Sequence, residues 1–204
     1  MRKSILSVSA PALIALTTLV GAAAGQRPAP PADSGRKNYT PADVHFMTGM
    51  IAHHAQAVLM ASWAPTHDAS ASLRALCERI VVGQGDEIAL MQRWLRDRHE
   101  MVPDADASHD MMPGMAHEMM PGMLTPQQLM QLDSARGPEF DRLFLTLMIQ
   151  HHLGAITMVN DLFGSNGGGE EEVAFRLASD IYADQTTEIA RMHRMLDALQ
   201  RSPS

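Results

Sequence analysis

Cysteine, aromatic rings and positive charge are all scarce in this chain of 204 residues. With Cys77 alone, no intramolecular disulfide can form and thiolate ligands are nearly absent. Aromatic side chains make up 4%, which argues against an aromatic-rich β-sandwich and a base-stacking nucleic-acid surface. Lys and Arg number 16 against 23 Asp and Glu, a formal charge of -7. A nucleic acid or other polyphosphate would find no basic footprint on such a chain. No stretch sustains period-2 alternation, so strands are not expected. Against these shortages stand 17 Met, 10 His and a hydrophobic content of 46%, enough to build the core of one ordinary domain.

The first residues read as an address. Arg2 and Lys3 precede an apolar run over residues 5–24 that ends in Ala22-Ala23-Ala24, the pattern of a secretory signal peptide. The other reading is a retained membrane anchor, since the run is nearly long enough to span. Residues 1–24 are assigned to the signal, and its removal would take the charge from -7 to -9. Residues 25–38, rich in Pro, Ala and polar side chains, read as a disordered linker. An exported chain meets an oxidising compartment, where paired Cys would be usual.

An internal repeat organises the remainder. Residues 43–60 read DVHFMTGMIAHHAQAVLM, and residues 141–158 read DRLFLTLMIQHHLGAITM, at a constant offset of 98. A second pattern, I-x-x-x-Q-x-x-E-I-x-x-M, starts at Ile80 and again at Ile181, at an offset of 101. The extra three residues fit the Gly-rich insertion at 164–169. Each unit is a helical hairpin. Thr40-Pro41 and Thr125-Pro126 supply an N-cap and a first-turn proline, the latter opening a lead-in helix. The expected fold is all-α, a four-helix bundle over 39–200: hairpin one at 39–100, a Met/His-rich loop at 101–124, and hairpin two at 125–200.

Heptad spacing puts Phe46, Met50, His53, Ala57 and Met60 on one helix face, and Phe144, Met148, His151, Ala155 and Met158 on its counterpart. A stripe needed only for packing would tolerate exchange with Leu or Ile. His54 and His152 lie about 100° around, toward the edge of that face. Opposite them, Gln84, Glu87 and Met91, and likewise Gln185, Glu188 and Met192, form stripes on the second helix of each hairpin. A buried Gln or Glu needs a partner, and the nearest donors are the His rings. Clustered imidazoles and thioethers point to metal ligation. A buried hydrogen-bond network that merely fixes the bundle is the alternative.

The loop carries the softest ligands. Residues 109–123 read HDMMPGMAHEMMPGM, a tandem H-[DE]-M-M-P-G-M holding His109, Met111, Met112, Met115, His117, Met119, Met120 and Met123. Pro113-Gly114 and Pro121-Gly122 mark turns, so no continuous helix packs these sulfurs. Thioethers select Cu(I), and imidazole also suits Cu(II). A thioether has no proton to lose and forms no disulfide, which suits an oxidising compartment. A flexible linker whose Met residues adhere to apolar partners is the other reading.

These motifs resemble the family named domain of unknown function 305, over roughly residues 39–199. The twin F-x-x-x-M-I-x-H-H-x-x-A, the paired Q-x-x-E-I-x-x-M and the M-P-G-M-L-T-P-x-Q lead-in carry the resemblance. It implies a ferritin-like four-helix fold and, from exported members of the copper-resistance type, copper handling. By motif match it points to Met50, His53, His54, Met60, Met148, His151, His152 and Met158. Di-iron chemistry is not implied, because the chain contains no Glu-x-x-His.

The function expected is therefore an exported protein that sequesters or transfers Cu(I) or Cu(II), with Ag(I) as a possible surrogate. Its partners are the metal ion and a copper exporter or chaperone, with no nucleic acid and no membrane once the signal is removed. No catalytic motif is recognisable, so an enzyme is not expected. The alternatives are a metal-dependent redox enzyme using the paired His, or a metal-free helical interaction module. Cys77, between Arg74 and Arg79, reads as a small buried residue; Trp63 and Trp94 read as packing. His45, His67 and His99 are unrepeated and fall outside the expected core site.

Overall fold

A computed structural model describes residues 38–106 and 120–201. The expected signal peptide, almost all of the linker, and His109, Met111, Met112, Met115, His117 and Met119 lie outside the described residues. Five helices are present: α1 Pro41–Ser62, α2 Ala71–Asp97, α3 Pro126–Ser134, α4 Gly137–Gly164 and α5 Glu172–Arg201. No strand occurs among the described residues, so the chain is all-α as expected.

The helix starts follow from local chemistry. Thr40 caps α1 by accepting from the Asp43 N–H at 3.3 Å, while the Thr40 N–H donates to the Asp43 carboxylate at 2.7 Å. Pro41 occupies the first turn, where a missing N–H costs nothing. Thr125 and Gln128 build the same box on α3, the expected lead-in helix. Gly137, at φ +58, takes the left-handed conformation needed to turn from α3 into α4.

α1 packs on α2 and α4 on α5 as two hairpins, and the hairpins meet along α1 and α4. The repeated aspartates join them. Asp43 of α1 accepts from the Gly169 N–H at 2.7 Å in the α4–α5 turn, and Asp141 of α4 accepts from the Ser70 N–H at 3.1 Å where α2 begins. Each hairpin thus holds the turn of the other, which sets α1 and α4 antiparallel.

The core has two apolar clusters. One contains Ala57, Met60, Leu73, Phe140, Phe144, Met148 and Met192, and the other Phe46, Met50, Ile51, Met91, Trp94, Ala155 and Ile181. Burying each large side chain contributes roughly 1.5–3 kcal/mol. On α1 the clusters change over between Ala55 and Ala57, and on α4 between Ile149 and Ala155. His151 and His152 fall within that changeover, and His53 and His54 lie just before it on α1. Cys77 is buried, as expected, and burial together with Asp141 pushes its thiol up to about 12. Trp94 is a core residue whose indole N–H donates to Glu171 at 2.9 Å.

Candidate metal centre

His53, His54, His151 and His152 have no exposed surface. The antiparallel crossing of α1 and α4 brings His53 against His151, with ring centroids 3.8 Å apart and planes tilted by 41°. Within each helix the adjacent rings lie 6.4 Å apart at 57°, the same values in both copies. The duplication thus yields a two-fold layer of four imidazoles between two apolar clusters.

Hydrogen bonding fixes the proton on three of the four rings. His54 Nε2 lies 2.8 Å from Glu87 and His152 Nε2 lies 2.7 Å from Glu188. His53 Nε2 lies 3.0 Å from the Pro121 carbonyl. A carbonyl or ionised carboxylate only accepts, so Nε2 carries the proton and a neutral ring keeps its lone pair on Nδ1. The Nδ1 atoms of His53, His54 and His152 have no partner, and His151 has none at either nitrogen. Burial, then the neighbouring His54, lowers the pKa of His53 to about 3. Burial, then His53, holds His151 well below the usual imidazole value. Both rings are therefore neutral at physiological pH, the form that binds metal.

The layer is closed on one side by a segment that lies between the two hairpins. Pro121 and Gly122 cross α4 at Gly154, where an added Cβ would lie 2.0 Å from the Pro121 carbonyl oxygen. At the equivalent position of α1 stands Gln56, fully buried. Its amide accepts from the Leu124 N–H at 2.8 Å and donates to the Leu124 carbonyl at 3.2 Å. A glycine on one helix admits the crossing chain, and a glutamine on the other grips it.

On the opposite side, α2 and α5 leave a groove of about 430 Å³, lined by Gln84, Glu87, Asp184, Gln185 and Glu188 among others. The expectation that these side chains partner the histidines holds for the glutamates and fails for the glutamines. Gln84 is without a partner at both amide atoms and Gln185 at Oε1. Each Glu lies within reach of a ring, whereas each Gln sits one turn earlier. His54 and His152 are also deeper than an edge position implies, because Glu87 and Glu188 cover them.

The methionines separate. Met50 clusters with Met91, and Met148 and Met60 with Met192, all five without exposed surface. Met158 is half-buried and meets the loop: a Cβ built on Gly49 would lie 3.1 Å from Met120 Sδ and 3.2 Å from Met158 Cε. Met123 is half-buried, its N–H donating to the Met120 carbonyl at 3.2 Å. His45 lines the same small cavity as Met120 and Met158. It is unrepeated, its counterpart being Leu143, so a search for identities passes over it. His67 is a packing residue, held to Asp133 and set against Trp63 and Phe140. Among the described residues no three His, Cys, Asp or Glu side chains group as a metal site, so a ligand set of that hard or borderline kind is not preassembled there.

The profile of the family described as Domain of unknown function (DUF305) matches residues 43–196. The chain belongs to that family. No curated protein matches it. Among solved structures, a DUF305 fragment from Deinococcus radiodurans is 26% identical with a TM-score of 0.66, covering 78% of this chain and 98% of that one. A DUF305 protein from Streptomyces coelicolor, described as secreted, is 26% identical with a TM-score of 0.64, covering 80% and 95%. CopM in its Cu(II)-bound form is 30% identical with a TM-score of 0.61, covering 76% and 96%. CopM also matches in Cu(I)-bound and Ag-bound forms.

Proposed function

We propose that this DUF305 protein is an exported copper-binding protein that sequesters or hands over Cu(I) through Met and His ligands, without turnover. One observation carries the reading: the buried histidine layer with its unused nitrogen lone pairs. A buried polar atom without a partner costs about 1–3 kcal/mol. The layer has this deficiency at Nδ1 in both halves of the duplication. A metal ion is the ligand that would use those lone pairs, and Glu87 and Glu188 already hold two of the rings in the donor orientation that metal-binding imidazoles need.

Met50 and Met148 precede the histidines by one helical turn and can offer thioethers to them. The loop methionines add soft sulfur to the ligand set, and Met120 lies against the helices near Gly49 and Met158. The four long helices are read as a ferritin-like bundle used as a rigid frame for this layer. The metal-bound forms of CopM, and the Streptomyces relative described as secreted, support copper as cargo and export as the destination. A copper exporter or chaperone would then be the partner in transfer.

An anaerobic Cu(I) titration against a chromophoric chelator tests the reading. The full chain should compete. A variant with Met111, Met112, Met115, Met119, Met120 and Met123 all changed to Leu should keep only part of the stoichiometry. A wild-type chain that takes no Cu(I) from the chelator contradicts the reading.

A further inference from the structure

The two copies of the first helix differ most tellingly where the loop arrives. α1 carries His45 and Gly49, one turn apart on one face, whereas α4 carries Leu143 and Leu147 at the equivalent positions. The missing side chain at Gly49 leaves a hollow. Into it come two thioether side chains, Met120 from the loop end and Met158 from the last turns of α4, at 3.1 and 3.2 Å from the point a Cβ would occupy, closer than an ordinary contact. Beside them, His45, Met120, Met158 and Asp161 line a cavity of about 130 Å³. His45 and Asp161 are exposed and the two methionines half-buried, so the cavity is reachable from solvent.

We propose that His45, Met120 and Met158 form an entry site for a soft monovalent cation, Cu(I) or Ag(I), over the hollow at Gly49. The proposal rests on the copper-binding reading above and adds a location to it. Two thioethers and one imidazole are the donor types a soft cation takes. Asp161 adds a negative charge at the rim. At the equivalent place α4 carries Leu147, whereas at Gly49 the two methionine side chains take the space. The site is also joined to the interior: Met120 is followed by Pro121, whose carbonyl accepts from His53. A cation taken up at Met120 therefore sits one residue from the chain segment that closes the histidine layer.

The test is an Ag(I) titration of the full chain with methionine methyl groups isotopically labelled, followed by NMR. Silver is diamagnetic and does not change oxidation state under these conditions. The Met120 and Met158 methyl signals should move with the first equivalent, together with the His45 ring. Gly49→Leu copies the residue that α4 carries, and its Cβ meets the flexible side chains of the two methionines. It should weaken that first equivalent by about tenfold or more, the scale that even outer-sphere changes reach. His45→Ala should do the same, and Met158→Leu, which conserves volume, gives the same reading should Gly49→Leu fail to fold. Silver uptake at other methionines, with Met120 and Met158 unmoved, overturns the entry site and leaves the copper-binding reading intact. No uptake anywhere overturns both.

Discussion

The two inner histidines, His53 on α1 and His151 on α4, occupy equivalent places in a duplicated sequence and are equally buried. They are not in equivalent environments. His53 donates to the Pro121 carbonyl, and His151 has no partner. The outer pair does keep its symmetry, with Glu87 and Glu188 at 2.8 and 2.7 Å. Duplication of the hairpin therefore builds a symmetric layer, and one segment outside the duplicated hairpins, residues 120–124, breaks the symmetry on one face. Substitutions between the copies follow that segment: Gly154 makes way for it, Gln56 binds it, and Gly49 opens a hollow beside its first residue.

Acid should have the largest effect on the metal-free protein. The folded chain keeps His53 neutral down to about 3, whereas an unfolded histidine takes its proton near 6.5. Between those values the unfolded state binds more protons, so stability is full above 6.5 and is lost as pH falls toward 3. His151 acts in the same direction. Urea midpoints across that window should fall steadily, and His53→Leu with His151→Leu should flatten the slope. An unchanged slope would place the acid sensitivity elsewhere.

Next in size is the crossing of α4. Gly154→Ala puts a methyl into the Pro121 carbonyl and should cost on the order of 3 kcal/mol in urea unfolding. Gln56→Ala, its α1 counterpart, leaves the Leu124 backbone groups unpaired and should cost about 2 kcal/mol. A neutral Gly154→Ala would mean that the segment does not cross there.

The outer pairs should behave alike. Glu87→Ala and Glu188→Ala each strip a buried imidazole N–H of its acceptor, and each should cost about 2 kcal/mol in the metal-free chain. Unequal costs would break the symmetry assigned to these pairs. The smallest difference sharpens the inner comparison. His53→Leu leaves the Pro121 carbonyl unpaired and should cost about 1 kcal/mol, whereas His151→Leu removes two unpartnered nitrogens and should cost nothing or stabilise. Equal penalties would contradict the asymmetry.

Much of this was legible in the sequence because duplication writes its symmetric parts twice. The hairpins, the threonine caps, the shared face of Phe46 through Met60 and the nearness of Glu87 and Glu188 to histidine all follow from the repeat and the helical period. The asymmetric parts do not. The contact of Pro121 with His53 joins residues 68 apart that no motif links. The full burial of His54 and His152 depends on a neighbouring helix, and the unpartnered amides of Gln84 and Gln185 depend on a one-turn offset along it. His45 could have been found from the differences between copies, a polar residue and a glycine facing two leucines, rather than from their identities.

X-ray absorption at the copper edge of the Cu(I)-loaded chain is the most direct test of the central claim. The account predicts a first shell containing both sulfur and imidazole nitrogen, with the imidazole contribution reduced when His53 and His151 are changed to Leu. A shell of light oxygen or nitrogen scatterers without sulfur, unaltered by that change, would contradict it.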